Sequence, residues 1–110
     1  MERLVKGDVL VINYPFSQFV NFKKRPVLVV KVPKGEDIIV CQITGKPYES
    51  SVEIPIKVED FQQGKLHVES YLRIDKILTI EKNLIEYKVG SLKQEKFNEI
   101  LGKILGYLKA

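Results

Sequence analysis

The stretch "PVLVVKVPKGEDIIVCQI", residues 26–43, decides the fold, because it reads as two consecutive strands with a tight connection. Two short runs rich in β-branched residues, "PVLVVKV" from Pro26 and "DIIVCQI" from Asp37, flank the turn-forming "KGED" from Lys34. Pro26 suits the first position of its strand, where a missing N–H removes no ladder hydrogen bond. The pattern therefore predicts two neighbouring strands.

Further strand-like runs lie on either side. "DVLVINY" from Asp8 precedes them and "VEIPIKV" from Val52 follows them, with Pro55 assigning the latter to a sheet edge or a bulge. From Lys65, "KLHVESYLRIDKILTI" alternates as one strand. Its expected core face holds Leu66, Val68, Leu72 and Ile74, and its expected polar face holds His67, Glu69, Tyr71, Arg73 and Asp75.

The C-terminal tail changes to a helical period. Ser91 and Gln94 have the spacing of a capping box, and apolar residues then recur every three or four positions at Phe97, Ile100, Leu101, Ile104, Leu105 and Leu108. Gly102 and Gly106 interrupt this helix, either as tolerated surface glycines or as a site of close backbone approach. The expected fold class is mainly β with a C-terminal α-helix, built as a small, strongly bent sheet or barrel.

Composition places few limits on function. The 110 residues suit a single domain, and the net charge of +4 leans toward polyanionic partners. Cys41, the only cysteine, reads as a small buried hydrophobe rather than a reactive thiol. The N-terminus lacks a signal-peptide core and no apolar run is long enough to span a bilayer, so we expect a soluble cytoplasmic protein without membrane association.

Familiar cofactor and metal motifs are missing from the sequence. Neither "GKPYES" nor "KVGSLK" has the spacing of a phosphate-binding loop, and one histidine with one cysteine cannot form a usual zinc site. A Cys41–His67 nucleophilic pair has no support from spacing. An enzyme of this sequence is therefore expected to use neither metal nor cofactor.

The segment before the second strand mixes aromatic and cationic residues. Phe16 and Phe19 lie just before Asn21, Phe22, Lys23, Lys24 and Arg25. Bases stack on aromatic faces while lysine and arginine neutralise phosphates, so the mixture suits single-stranded nucleic acid. The alternative is that the phenylalanines fold inward and the lysines only solubilise the surface. Arg25, next to the strand-starting proline, is the best placed for phosphate recognition.

Five segments together resemble the MazF/PemK family of toxins from toxin–antitoxin pairs: "GDVLVINYPFS", "KKRPVLVV", "VCQITGK", "GKLHVESYLRIDKILTIEKNLI" and "VGSLKQEKFNEILGKIL". The likeness spans nearly the whole chain. It implies a single domain over residues 1–110 with an SH3-like barrel, usually a homodimer. It also implies a metal-independent endoribonuclease that cleaves single-stranded RNA such as mRNA at short sequences, silenced by an antitoxin whose acidic segment covers the RNA groove.

The resemblance also assigns residues by position. The catalytic arginine of the family falls on Arg25 and its catalytic threonine or serine on Thr44. The RNA-contacting first loop falls on residues 17–24, which include Ser17, Asn21, Phe22, Lys23 and Lys24. A polar cluster used by relatives for base recognition or catalysis falls on Arg73, Asp75 and Lys76. The sequence departs from better-known members in this loop and after Thr44, so the cleavage sequence stays open.

These residues suit phosphodiester cleavage by the 2′-hydroxyl of RNA itself. Arg25 can present two parallel N–H donors to the phosphate and Thr44 can add one more. The general base is open, with Asp75 and His67 as candidates, because a guanidinium is a reluctant base. Two other functions stay possible: a nucleic-acid-binding module without catalysis, and a toxin of the CcdB type that poisons gyrase through its C-terminal helix.

Overall fold

The computed structural model describes residues 3–15, 22–46 and 52–110. Within these ranges the chain forms seven strands, two single 3₁₀ turns and one helix. The strands are β1 (Asp8–Pro15), β2 (Phe22–Lys31), β3 (Asp37–Thr44), β4 (Glu53–Ile56), β5 (Phe61–Gly64), β6 (Ser70–Glu81) and β7 (Ile85–Leu92), and the helix is α1 (Gln94–Lys109).

All seven strands join one antiparallel sheet in the order β4-β6-β3-β2-β1-β7-β5. The sheet curls into a half-barrel, and α1 follows it. The predicted mainly β fold class with a C-terminal helix is therefore confirmed. Pro55 lies in β4 at one end of the sheet order, which confirms its assignment to an edge.

Both faces of the central strands are buried, because alternating side chains of one strand enter two separate cores. The core on the side of α1, the helix-side core, contains Val9, Leu28, Cys41, Ile43, Ile54, Ile56, Phe61, Leu72, Ile74, Leu92, Phe97, Ile100 and Ile104. The core on the opposite face, the far-side core, contains Leu10, Ile12, Val27, Val29, Ile38, Val40, Ile80 and Ile85. Near-continuous apolar runs in β1, β2 and β3 follow from this double burial.

Two strand boundaries differ from the sequence prediction. β2 begins at Phe22, four residues before Pro26, so Lys23, Lys24 and Arg25 belong to the strand and not to a loop. The reason is pairing with β1, which runs in register from Pro15 opposite Phe22 to Val9 opposite Leu28. Pro26 causes no conflict with β3, since pairing between β2 and β3 begins only at Val27.

The alternating run from Lys65 is shorter as a strand than predicted. β6 begins at Ser70, and the preceding Val68 is 68% exposed rather than in the core. From Ser70 to Asp75 the predicted alternation is correct. Pairing with β3 then shifts register, from Ile43 opposite Leu72 to Cys41 opposite Ile77. This bulge moves the even-numbered residues of β6 from the helix-side core to the far-side core.

β5 and β7 were not predicted. β7 pairs with β1 through two register shifts, which weaken any simple alternation in its sequence. β5 has only four residues and meets β7 where Gly64 lies opposite Gly90. Short edge strands of this kind carry little periodic signal.

The helix is present but starts and packs differently from the prediction. Its N-cap is Lys93, with no side-chain capping bond, and Ser91 belongs to β7, so the expected capping box is wrong. Phe97, Ile100 and Ile104 are buried as predicted, whereas Leu105 and Leu108 are 52% and 63% exposed. A Cβ at either Gly102 or Gly106 would meet open space, so both are surface glycines. Among the described residues, no helix is long and apolar enough to cross a membrane.

The N-terminal Gly-Asp dipeptide anchors β1. Gly7 has a φ of 95°, its N–H donates to the Val29 carbonyl, and its carbonyl accepts from the Leu92 N–H. The Asp8 side chain is fully buried, with Oδ2 accepting a hydrogen bond of 2.9 Å from the Val5 N–H and Oδ1 lying 3.3 Å from Lys88 Nζ. The carboxylate therefore fixes the turn that leads into the sheet.

Candidate active site

Arg25 and Thr44 lie on either side of the point where β2 and β3 stop pairing. The last paired residues of this ladder at that end are Val27 and Gln42, which lie directly opposite each other and so share a face. Arg25 is two residues before Val27 and Thr44 is two residues after Gln42. Alternation therefore places the Arg25 and Thr44 side chains on that same face, beyond the end of the far-side core.

Each of the two residues remains paired on its other side. Arg25 lies opposite Ile12 of β1, which is fully buried, and Thr44 lies opposite Tyr71 of β6. The two backbones are therefore held by β1 and β6, although β2 and β3 are not paired with each other between Arg25 and Thr44. This unpaired end of the β2–β3 ladder is the gap. Residues held on strands in this way are more precisely positioned than residues on loops.

The Thr44 hydroxyl is oriented by the turn that follows it. Thr44 is 8% exposed, and its Oγ1 accepts a hydrogen bond of 3.2 Å from the Lys46 N–H. A hydroxyl has one proton to donate and two lone pairs to accept. Because this bond uses a lone pair, the Thr44 proton remains available to an acceptor in the gap beside Arg25.

The predicted cluster of Arg73 and Asp75 is a preformed ion pair. Arg73 Nε donates to Asp75 Oδ1 at 2.8 Å and Arg73 Nη2 donates to Oδ2 at 2.7 Å. The Arg73 hydrogen bonds hold the pKa of the Asp75 carboxyl below its ordinary value, and the positive charge of Lys76 acts in the same direction. Both side chains are mostly buried, at 15% and 22% exposed.

A bulge in β6 positions this pair. Residues 73–76 lie between the two segments of β6 that pair with β3, and Glu53 of β4 lies directly opposite Arg73. The Cys41 thiol donates a hydrogen bond of 2.8 Å to the Arg73 carbonyl. Burial raises the pKa of Cys41 to about 12, so the thiol stays protonated. The prediction that Cys41 is a buried hydrophobe is confirmed.

The three consecutive cations do not form one patch. Lys23 lies opposite Tyr14 and shares the face of Arg25, whereas Lys24 points to the other face and forms a 3.5 Å ion pair with Glu86. Phe22 is the first residue of β2. Ser17 and Asn21, together with Phe16 and Phe19, lie outside the described residues.

Of the two remaining candidates, His67 lies outside the strand on which it was expected and Lys76 lies beside Asp75. His67 precedes β6, is exposed, and lines a cavity of about 260 Å³ with Ile56, Phe61 and Leu66. The alternation that was expected to place His67 on one face with Arg73 and Asp75 therefore does not extend to it, because it applies only within the strand. Lys76 is exposed in the bulge beside Asp75.

The sequence prediction did not single out Tyr71 or Glu53 as site residues. Tyr71 lies opposite both Thr44 and Pro55, and Glu53 lies opposite Arg73. Tyr71 was placed on the polar face of its strand by alternation, but its closeness to Thr44 depends on the pairing of β3 with β6. Within residues 3–15, 22–46 and 52–110, no cluster of three or more His, Cys, Asp and Glu side chains is arranged to hold a metal ion.

Comparison with solved structures shows that the fold is that of MazF toxins. The chain is similar to the Mycobacterium tuberculosis toxin MazF-mt6, with 19% identity, a TM-score of 0.70, and 91% of this chain and 93% of that chain covered. It is also similar to MazF in the MazE–MazF structure from Deinococcus radiodurans, with 16% identity, a TM-score of 0.74, and 94% of each chain covered. A mycobacterial endoribonuclease in complex with its cognate antitoxin gives 17% identity, a TM-score of 0.68, and 94% and 96% coverage.

The chain belongs to the family described as "PemK-like, MazF-like toxin of type II toxin-antitoxin system", which it matches over residues 5–108. The resemblance drawn from its sequence segments is thereby confirmed. No curated protein matches the chain.

Proposed function

We propose that this member of the MazF/PemK toxin family is an endoribonuclease that cleaves single-stranded RNA, such as mRNA, at short specific sequences without a metal ion. The observation that carries the proposal is the position of Arg25 and Thr44, on one face and on either side of the gap between β2 and β3. A phosphodiester in that gap would meet a guanidinium on one side and a hydroxyl on the other.

In the proposed reaction a general base removes the proton of the 2′-hydroxyl, and the 2′-oxygen attacks the adjacent phosphorus. The bond from phosphorus to the 5′-oxygen breaks, and the 5′-oxygen takes up a proton. The products are a 2′,3′-cyclic phosphate and a 5′-hydroxyl. Arg25 stabilises the additional negative charge of the transition state with paired N–H donors, and the Thr44 hydroxyl donates one more hydrogen bond. Holding the ribose and phosphate in line lowers the barrier further.

The Arg73–Asp75 pair has a supporting role in this proposal. A carboxylate with a lowered pKa binds protons weakly, so Asp75 is a poor general base near neutral pH and mainly orients Arg73. Arg73 then faces the RNA from β6, two residues from Tyr71. The identity of the general base stays open, and His67 would have to act from the segment before β6.

The antitoxin is the proposed protein partner. An acidic segment of it would cover the face that carries Lys23, Arg25 and Arg73 and so exclude RNA by occupying the same cations. The homodimer implied by the resemblance and the cytoplasmic location expected from the sequence stay predictions; light scattering at several concentrations measures the first.

The proposal is tested by incubating the protein with a long single-stranded RNA in excess EDTA. We expect cleavage that leaves cyclic phosphate and 5′-hydroxyl ends. A substrate with a single 2′-deoxy substitution at the cleaved nucleotide should be resistant, because its nucleophile is missing. Intact RNA that nevertheless binds would replace this proposal with the non-catalytic binding module.

The gyrase hypothesis depends on a different part of the molecule. Leu105, Tyr107 and Leu108 at the end of α1 are 52%, 45% and 63% exposed. Gyrase inhibition in a supercoiling assay, lost on truncation after Gly102 and without RNA cleavage, would favour that function.

A further inference from the structure

Tyr71 is a half-buried aromatic residue at the centre of the candidate active face. It lies directly opposite Thr44 on one side and directly opposite Pro55 on the other. Its neighbours Leu72 and Ile74 enter the helix-side core, so the Tyr71 ring lies on the opposite face, with Arg73 and Asp75. The ring is therefore next to the proposed cleavage point and is not part of the core on its own strand.

The backbone of Tyr71 is held on both sides. β6 is flanked by β3 and β4 at this position, and Ser70 and Leu72 on either side of Tyr71 are buried. Neighbouring strands are about 4.8 Å apart, so Thr44 and Tyr71 are separated by roughly one strand spacing. Such a separation is comparable to the distance between the phosphate and the base of a single nucleotide.

Pro55 extends the apolar surface beside this ring. It is exposed, lies on the edge strand, and has no backbone N–H to offer to a ligand. Tyr71 and Pro55 together form an apolar strip that starts at Thr44 and ends at the sheet edge. Flat rings stack on nucleobases and discriminate little between them.

We propose that Tyr71, backed by Pro55, stacks on the nucleobase next to the scissile phosphate and so positions that phosphate between Arg25 and Thr44. The inference rests on the proposed endoribonuclease function and adds a positioning residue to it. The ligand is a single-stranded RNA base. Stacking is sequence-tolerant, so the sequence preference would come from neighbouring polar groups.

The test is a double-mutant cycle between the ring and the base. The parent and Tyr71→Ala are compared on a short RNA and on the same RNA with an abasic site beside the cleaved bond. Removing either partner should lower kcat/KM by about 5- to 150-fold, mainly through KM, and removing both should lower it little further. Tyr71→Phe should keep the parent value, because it retains the ring.

A matched control is Tyr87→Ala. Tyr87 is 55% exposed on β7 and lies opposite Val11, away from the candidate face. It should cleave both substrates as the parent does. If Tyr71→Ala loses the same factor on intact and abasic RNA, or loses nothing, the stacking inference is wrong. Thermal unfolding of each variant separates these outcomes from loss of the fold.

The same cycle measured by binding separates this inference from the proposed function. An uncleavable 2′-deoxy analogue, intact and abasic, is titrated with the parent and with Tyr71→Ala. Coupling between ring and base in the dissociation constants supports stacking even if no RNA is cleaved, whereas its absence refutes stacking even if cleavage is observed. Failure of cleavage alone counts only against the endoribonuclease.

Discussion

In this toxin-family protein, strand alternation determines on which face of the sheet each charged side chain lies. Lys23, Lys24 and Arg25 are adjacent in sequence, yet Lys24 pairs with Glu86 on one face while Lys23 and Arg25 share the other. Asp8 is buried completely, and its carboxylate is compensated by Lys88. The first arrangement defines the candidate site and the second stabilises the fold.

The Asp8–Lys88 pair gives a prediction for stability. Lys88→Ala leaves a buried carboxylate with reduced compensation and should lower the free energy of unfolding by about 3 kcal/mol, at the lower end for buried pairs because the Lys88 side chain is 27% exposed. The control Lys103→Ala removes an exposed pair with Glu99 at 3.9 Å and should cost about 0.5 kcal/mol or less. Urea unfolding measures both. Equal costs would contradict the structural role given to Asp8.

The Asp75 carboxyl gives a prediction for pH dependence. Its pKa is lower in the folded protein than the ordinary 3.8, because of its hydrogen bonds from Arg73. The stabilisation is therefore complete above the ordinary value and is lost as pH falls through the folded value. Asp75→Asn should unfold at lower urea than the parent near neutral pH, and the two midpoints should converge in strong acid. A difference that persists in acid would mean that Asp75 acts through packing.

At the scale of elements, the bulge in β6 and the short strand β5 determine the shape of the sheet. Residues 73–76 form the bulge and are not paired with β3. The Cys41 thiol holds the bulge in place through its hydrogen bond to the Arg73 carbonyl. β5 approaches β7 closely, and a Cβ built on Gly64 or Gly90 would overlap a backbone carbonyl of the opposite strand. Only glycine fits this contact.

Two glycine substitutions should therefore have opposite effects. Gly90→Ala forces β5 away from β7 and should destabilise the fold by about 1–3 kcal/mol. Gly102→Ala adds a methyl group in open space on α1 and should stabilise it by up to about 1 kcal/mol. Thermal unfolding of the two variants provides the comparison. A neutral Gly90→Ala would show that β5 is not tightly paired.

Some elements could be predicted from sequence patterns and others could not. Runs of β-branched residues predicted β1 and β3, and a 3.6-residue period predicted the helix, because both patterns record local burial. β5 and β7 were missed since bulges and glycine contacts disturb alternation. The family resemblance pointed to Arg25 and Thr44. That Thr44 lies next to Tyr71 depends on the long-range pairing of β3 with β6, which no local pattern records.

At the scale of the whole molecule, the candidate site lies on one face of the curled sheet, beyond the end of the far-side core. α1 and the helix-side core cover one face, and the other face runs from the far-side core to the gap between β2 and β3. Arg25, Thr44, Tyr71 and Arg73 all belong to that second face. Substitution of these four residues should alter activity more than stability.

The proposed catalytic role of Arg25 is tested most directly by single-turnover cleavage of one RNA by Arg25→Ala, Arg25→Lys and the control Lys24→Ala. Both Arg25 variants should be slower than the parent by about 100-fold or more, since lysine cannot reproduce the paired donors, and their folds should remain intact. Lys24→Ala removes the adjacent charge on the opposite face and should cleave nearly as the parent does. Parent-like cleavage by a folded Arg25→Ala protein would contradict the account.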